Sequence, residues 1–184
     1  MGLDYRFQAT AYGVSPRMRL DLVLANLMAS GYATGVIKVL SDGTPWRPMV
    51  HIEDISRAML AALSAEEGSL KHSVFNIGAA DCNYTVRDIA EISATMLPGC
   101  TIDITGETGN DPRSYKVNFS RALHHLPGFD PQWSLEKGAA QTRDWLSANP
   151  RDIKLFFGAR YIRLTRLREL LDQNRIDQDF RWVT

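Results

Sequence analysis

Cysteine is scarce in this chain of 184 residues: Cys82 and Cys100 are the only two, and no Cys-x-x-Cys occurs. That excludes a disulfide scaffold and fits a reducing compartment. His51, His72, His124 and His125 lack ligand spacing with the cysteines, so no metal site is expected. An excess of one charge is missing too, since 21 Lys and Arg balance 21 Asp and Glu. A general binder of nucleic acid or of anionic membranes carries a basic excess, so neither partner is expected. No apolar run approaches the roughly 18 residues of a membrane span. The opening MGLDYRFQATAYG has no basic-then-apolar leader, and Arg6 stands where a myristoylation signal needs Ser or Thr. A cytoplasmic protein is the expectation. Neither GxGxxG nor GxxGxxG occurs, and the glycine pairs 31/35 and 106/109 do not follow strands in the required way. The chain therefore offers no glycine cradle for the pyrophosphate of a dinucleotide.

What is present describes a globular protein: 45% hydrophobic and 23% charged residues, in a chain long enough to bury a core. Residues 5–12 read as a short strand closed by the turn cluster Gly13-Val14-Ser15-Pro16. Leu20, Val23, Leu24, Leu27 and Met28 share one face of a helix over 19–33. Strands follow at 36–40 and 48–52, the second with Pro48 at its start or edge. Asp54 opens a helix over 54–65 whose face is Ile55, Ala58, Met59, Ala62 and Leu63. SVFNIG, 73–78, reads as an apolar strand of the kind covered on both faces. Thr85 caps a helix to Leu97, residues 101–105 alternate as a strand, and RSYKVNF is extended. A short helix follows Ser120, and another starts at Ser134 and runs to about Ala148. After Pro150 the texture changes to an Arg-rich amphipathic helix with Tyr161, Leu164, Leu167, Leu170 and Leu171, then a polar tail. The division is a main domain, 1–150, and a helical extension, 151–184, that docks rather than folds alone. The fold class is α/β, mixed, with short strands between helices. Strand 73–78 and helix 54–65 are too apolar to stand uncovered.

Several polar residues admit two readings. Arg47 in PWRPM is stiffly held between Trp46 and Pro48. It is either a surface ion pair or a stack on Trp46, or an anion clamp whose fork meets phosphate in bidentate fashion. Arg113 in NDPRSY is either a solvated loop residue or a second clamp, with Tyr115 on its face. Arg17 and Arg19 precede a helix start, which adds positive potential for an anion. Thr10, Tyr12 and Asn26 carry little signal alone. His51 reads as a satisfied core histidine, Glu53 and Asp54 as helix-start acids, and Asn76 as a partner of neighbouring backbone. No Tyr-x-x-x-Lys occurs: the residues four after Tyr5, Tyr12, Tyr32, Tyr84, Tyr115 and Tyr161 are Ala, Pro, Val, Asp, Phe and Thr.

ATAYGVSPRMRLDLVLANLMASG, SDGTPWRPMVHIEDISRAMLAAL, VFNIGAADCNYTVRDIAEI, DPRSYKVNF and FDPQWSLEKGA, in this order, resemble the C-terminal, substrate-binding half of the extended short-chain dehydrogenase/reductases. That family holds the NAD-dependent nucleotide-sugar epimerases and 4,6-dehydratases. The resemblance covers roughly residues 5–148. The tail RYIRLTRLRELLDQNRIDQDFRW resembles an extension found in one bacterial subgroup. The resemblance implies that Arg47 and Arg113 bind the substrate diphosphate and that Val39 and Leu40 line the base slot. It also implies that Arg17, Met18, Arg19 and Leu20 pack on the nucleotide. Thr10 stands where many members have Asn, and Pro48 replaces a common Asp.

The resemblance also implies that the Rossmann half, with its glycine loop and catalytic Tyr and Lys, is absent. No catalytic, cofactor-binding or metal-binding residue is therefore assigned, and NAD is expected only in a full-length relative. Hydride transfer needs the nicotinamide held against the sugar and a group to move the proton. Three functions stay open. One is the substrate-binding half of an epimerase or dehydratase, as a fragment or half of a split enzyme. The others are a stand-alone nucleotide-sugar-binding or regulatory module, and a structural docking piece. The expected partners are a nucleotide-diphosphate sugar, a Rossmann-domain chain and a second copy of the chain.

Overall fold

The computed structural model describes residues 9–66, 69–70, 74–107, 113–149 and 156–183. In chain order its elements are β1 (Thr10–Tyr12), α1 (Val23–Thr34), β2 (Val36–Val39), β3 (Trp46–His51), α2 (Ile52–Leu63), β4 (Asn83–Thr85) and α3 (Val86–Met96). They continue with β5 (Thr101–Ile104), α4 (Ser120–His125), α5 (Leu135–Ala148) and α6 (Arg163–Asp172). The architecture is mixed α/β with short strands, and the described residues form no closed sheet. β3 is the centre of a three-stranded sheet, parallel to β1 and antiparallel to β4. β2 and β5 form a separate parallel pair.

β3 divides the core. Its side chains alternate by the strand period of two. Met49 joins the cluster of Leu24, Met28, Ile37, Ile89, Leu135 and Leu146. Val50 joins Ile55, Ala58, Phe75, Ile77 and Leu126 on the other side. Tyr12 packs against α5 at Gly138, where a Cβ would come within 2.1 Å of its ring. The capping predictions at two helices hold. Thr85 and Asp88 form a reciprocal capping box on α3, and Ser134 accepts from the Lys137 N–H at the start of α5.

Other expectations need correction. The helix expected from residue 19 begins at Val23, because Leu20 lies in a turn where its N–H donates to the Tyr161 carbonyl at 3.1 Å. α2 begins at Ile52, two residues before Asp54, and its N-cap is His51, whose ring accepts from the Glu53 N–H. Its expected single apolar face is split: Ile55, Ala58 and Ala62 point inward, whereas Met59 and Leu63 point out. In the expected strand 73–78, Ser73 lies outside the described residues. Val74–Ile77 pair with no strand among the described residues, although Phe75 and Ile77 are buried. Residues 5–8 and Arg151 also lie outside. The expected tail helix is confined to Arg163–Asp172; Tyr161 precedes it and, with Phe156, enters the main core. Among the described residues no helix is long and apolar enough to cross a membrane, and no group of three His, Cys, Asp or Glu is placed to hold a metal.

Candidate functional site

Arg47 and Arg113 lie 66 residues apart in sequence, yet both line one cavity of about 280 Å³. β3 delivers Arg47, whose register partner across the sheet is Tyr84. The segment 113–119 delivers Arg113 and is anchored twice. Asn83 exchanges two hydrogen bonds with Val117, donating to its carbonyl at 3.0 Å and accepting from its N–H at 2.9 Å. Trp46 N–H donates to the Ser114 hydroxyl at 3.1 Å. Arg47 Nη1 then donates to its own neighbour's carbonyl, Trp46, at 2.9 Å and to the Arg113 carbonyl. Among the described residues, the two arginine segments are thus tied together by hydrogen bonds that involve backbone groups. The face of Trp46 is taken by Lys116, whose Nζ sits 3.5 Å from the ring centroid, so the alternative stack of Arg47 on Trp46 is not what is seen.

The opposite wall is the start of α1. Asp21, Leu22, Val23 and Asn26 line the same cavity, with Thr10 and Val86. Asn26 is fixed by donating to the Leu20 carbonyl at 3.0 Å. Asp21 accepts two bonds from Arg19 at 2.9 Å, and this partner holds its carboxyl below the usual carboxylate range. A second cavity of about 290 Å³ adjoins it through Thr10 and Leu22 and reaches Gly13, Arg17 and Arg19.

Of the predicted site residues, Arg47, Arg113 and Thr10 therefore meet in one cavity, and Arg17 and Arg19 line its neighbour. Leu20 and Val39 are fully buried and face neither cavity; they are core residues. Leu40 is 54% exposed at the end of β2, and its carbonyl accepts from the Thr105 hydroxyl, away from the arginines. Tyr115 packs on the cluster of Cys82, Val117 and Phe119 and is absent from the cavity lining. Asp21, Leu22 and Val86 were not predicted. The available signal was the helical step from Leu22 to Asn26, which puts both on one face.

The titratable groups near β3 are structural. His51 is buried and stacks on Trp133 at 3.6 Å with an interplanar angle of 6°. Its Nδ1 accepts from the Glu53 N–H, so Nε2 carries the proton and donates to Gln141 at 3.1 Å. Burial lowers its pKa. Asn76 donates to the Asn118 carbonyl, as expected of it. Asp54, also buried, accepts from the backbone of Gln132 and Trp133 at 2.9 and 3.0 Å and from Arg57 at 3.0 Å. Burial raises the Tyr12 phenol far above its ordinary range and pushes the Cys82 thiol up to about 11. Both the Tyr12 phenol and the Cys82 thiol are thereby kept protonated near neutrality.

Comparison with known proteins finds similar sequences and folds. Residues 8–78 match the NAD dependent epimerase/dehydratase family. The chain is related to that family by sequence and by fold. It is 32% identical over 113 residues to the dTDP-L-rhamnose 4-epimerase of Burkholderia thailandensis, covering 61% of this chain and 30% of that protein. It is 25% identical over 156 residues to the UDP-glucuronate 4-epimerase of Thermodesulfobacterium geofontis, covering 79% and 43%. The fold matches the UDP-glucuronic acid 4-epimerase of Bacillus cereus, solved with UDP-glucuronic acid and NAD, with a TM-score of 0.64 at 24% identity over 79% of this chain and 45% of that one. The chain thus spans less than half the length of each of these relatives.

Proposed function

We propose that this chain is a nucleotide-sugar-binding portion of an NAD-dependent epimerase or dehydratase, with Arg47 and Arg113 as its diphosphate clamp. One observation carries the reading: two arginines distant in sequence converge on one cavity with Thr10 and Asn26. Guanidinium forks match phosphate oxygens. The start of α1 opposite adds unpaired N–H groups and the positive end of a helix dipole. The relatives that bind or act on UDP and dTDP sugars give the class of ligand.

The described residues do not fit NAD. A dinucleotide needs a glycine turn between a strand and a helix N-terminus open to its pyrophosphate. Here β3 runs into α2 and β4 into α3 with no intervening residue, and both helix starts are filled by their own caps, His51 and Thr85. We infer that the chain by itself binds NAD no more tightly than about millimolar and does not catalyse the family reaction. NAD recovered from the purified, denatured chain would overturn this.

Calorimetry with UDP tests the clamp. Arg47→Ala and Arg113→Ala are each expected to weaken binding by about 1.5–3 kcal/mol. Affinity unchanged in both variants would make the arginines structural.

The outer face of α2 exposes Ile52, Met59, Leu60 and Leu63 along one stripe. We assign this face, in the purified chain, to a second copy of the chain. Sedimentation should show a dimer at micromolar concentration, and Leu60→Lys with Leu63→Lys a monomer. Wild type sedimenting as a clean monomer would overturn this; a Rossmann-type chain that displaces the second copy would be the fuller cover.

A further inference from the structure

The tail brings a second group of arginines to the molecule, apart from Arg47 and Arg113. Between the lead-in to α1 and helix α6 lies a cavity of about 540 Å³ rimmed by Arg17, Arg19, Arg160, Arg163 and Arg166. Its floor is apolar: Met18, Tyr161 and Leu170 are buried there. Two of the five guanidinium groups are matched by acids. Arg19 is held by Asp21 in two bonds of 2.9 Å, and Arg166 meets Glu169 at 3.3 Å. Arg17, Arg160 and Arg163 meet no carboxylate among the described residues; Arg160 lies over the Tyr161 ring, 5.6 Å from its centroid.

The two sides of this cavity are fastened to each other. Leu20 N–H donates to the Tyr161 carbonyl at 3.1 Å. Tyr161 stands two residues before Arg163, the first residue of α6, so this bond sets the start of α6 against the α1 lead-in. The arginines are therefore gathered by a backbone tie and by the buried floor of Met18, Tyr161 and Leu170, not by chance approach of a loose tail. The positive end of the α6 dipole, over ten residues, opens on the same side. Gathering three unmatched cations round one opening costs repulsion, which an anion with several charges removes.

We propose that this cavity is a second anion site, for an organic polyphosphate whose apolar or aromatic body rests on Met18 and Tyr161. The volume lies in the range of small-ligand pockets. The unmatched arginines call for at least two phosphates, and the floor calls for more than an inorganic ion. A nucleoside triphosphate meets both demands.

The test silences the other site first. The full chain carrying Arg47→Ala and Arg113→Ala is titrated with ATP by calorimetry at about 150 mM salt, where weak surface attraction is screened. Binding of one ATP per chain is expected, more tightly than inorganic tripolyphosphate. Adding Arg160→Gln and Arg163→Gln should weaken ATP at least about tenfold, each lost contact being charge-assisted. Circular dichroism checks that this chain is folded. If it is not, Arg17→Gln with Arg160→Gln takes its place with the same expected loss. No binding of ATP, binding indifferent to these arginines, or a single-stranded RNA or acidic peptide binding more tightly than ATP would each overturn the proposal. UDP binding to the chain with Arg47 and Arg113 intact is a separate measurement, so the two sites stand or fall independently.

Discussion

Met49 and Val50 are neighbours on β3, yet they face two differently finished sides of the protein. On the Met49 side, α1, α3 and α5 close over the core, and none of the large exposed apolar side chains belongs to these helices. On the Val50 side, α2 covers the strand with one face and turns a second apolar face outward, with Leu60 64% and Leu63 78% exposed. A helix apolar on both faces is one built to be buried. The cavity of Arg47 and Arg113, the proposed clamp, belongs to the finished side, because its opposite wall is the start of α1. The proposed clamp thus needs no residue from the Val50 side, where the exposed face of α2 is open to a further layer.

The largest expected effect tests what holds the open side in place. Asp54 is the tie between α2 and the loop leading to α5, satisfying two backbone N–H groups and Arg57. Asp54→Ala leaves those buried donors without a partner and should cost about 3–5 kcal/mol in urea unfolding. A loss below about 1 kcal/mol would mean that the two sides are joined by something else. Next in size is a direct contrast between sides. Leu24→Ala, in the closed core, should cost about 3 kcal/mol. Leu60→Ala on the outer face of α2 should cost less than about 0.5 kcal/mol in the monomer. Equal losses would erase the distinction.

A smaller effect separates recognition from assembly. Arg47→Lys should recover only part of the affinity lost in Arg47→Ala, since a point charge does not reproduce the fork. The monomeric Leu60→Lys, Leu63→Lys chain should keep its UDP affinity within about twofold, because a change more than roughly 10 Å from the ligand and sharing no partner adds independently. If the monomer loses UDP binding, the clamp depends on the second copy after all.

How far the sequence disclosed this arrangement follows from the range of the interactions involved. Local signals were legible. Thr85 with Asp88 and Ser134 are caps that act within three residues, and both stand where expected. The apolar run PMVHI marked a strand over 48–52, and β3 spans Trp46–His51, two residues earlier at its start and one at its end. Arg47 and Arg113 were named, but their meeting depends on Asn83 gripping Val117, a contact across 34 residues with no local trace. The start of α2 was misplaced because histidine is an uncommon cap, and Asp54, the expected opener, reaches instead across 78 residues to Gln132. Residues 74–77 have a strand's composition without a strand's neighbour among the described residues: apolar burial is written in the sequence, the pairing partner is not. The tail's arginines were visible, whereas the cavity they rim required the Tyr161 carbonyl to meet Leu20 N–H across 141 residues.

The smallest expected effect is one of pH, and it falls on one side only. His51 ends β3 and caps α2, and its cap requires an unprotonated Nδ1 to accept from Glu53 N–H. Burial between Trp133 and Tyr12 lowers its folded pKa below the ordinary 6.5. The unfolded chain therefore binds the extra proton first, so this contribution to stability is present above about pH 6.5 and lost as the pH falls through the lower folded value. In His51→Gln that slope should vanish while the wild type keeps it. Amide exchange gives the sharper reading. Between pH 7.5 and 5, after correction for intrinsic rates, the first turn of α2 should lose protection while α1 and α3 do not. Carboxylates such as Asp21, held low by Arg19, lose their contribution only at more acid pH. Uniform loss of protection across all three helices would show that the protein opens as one unit and that the two sides of β3 differ in cover but not in cohesion.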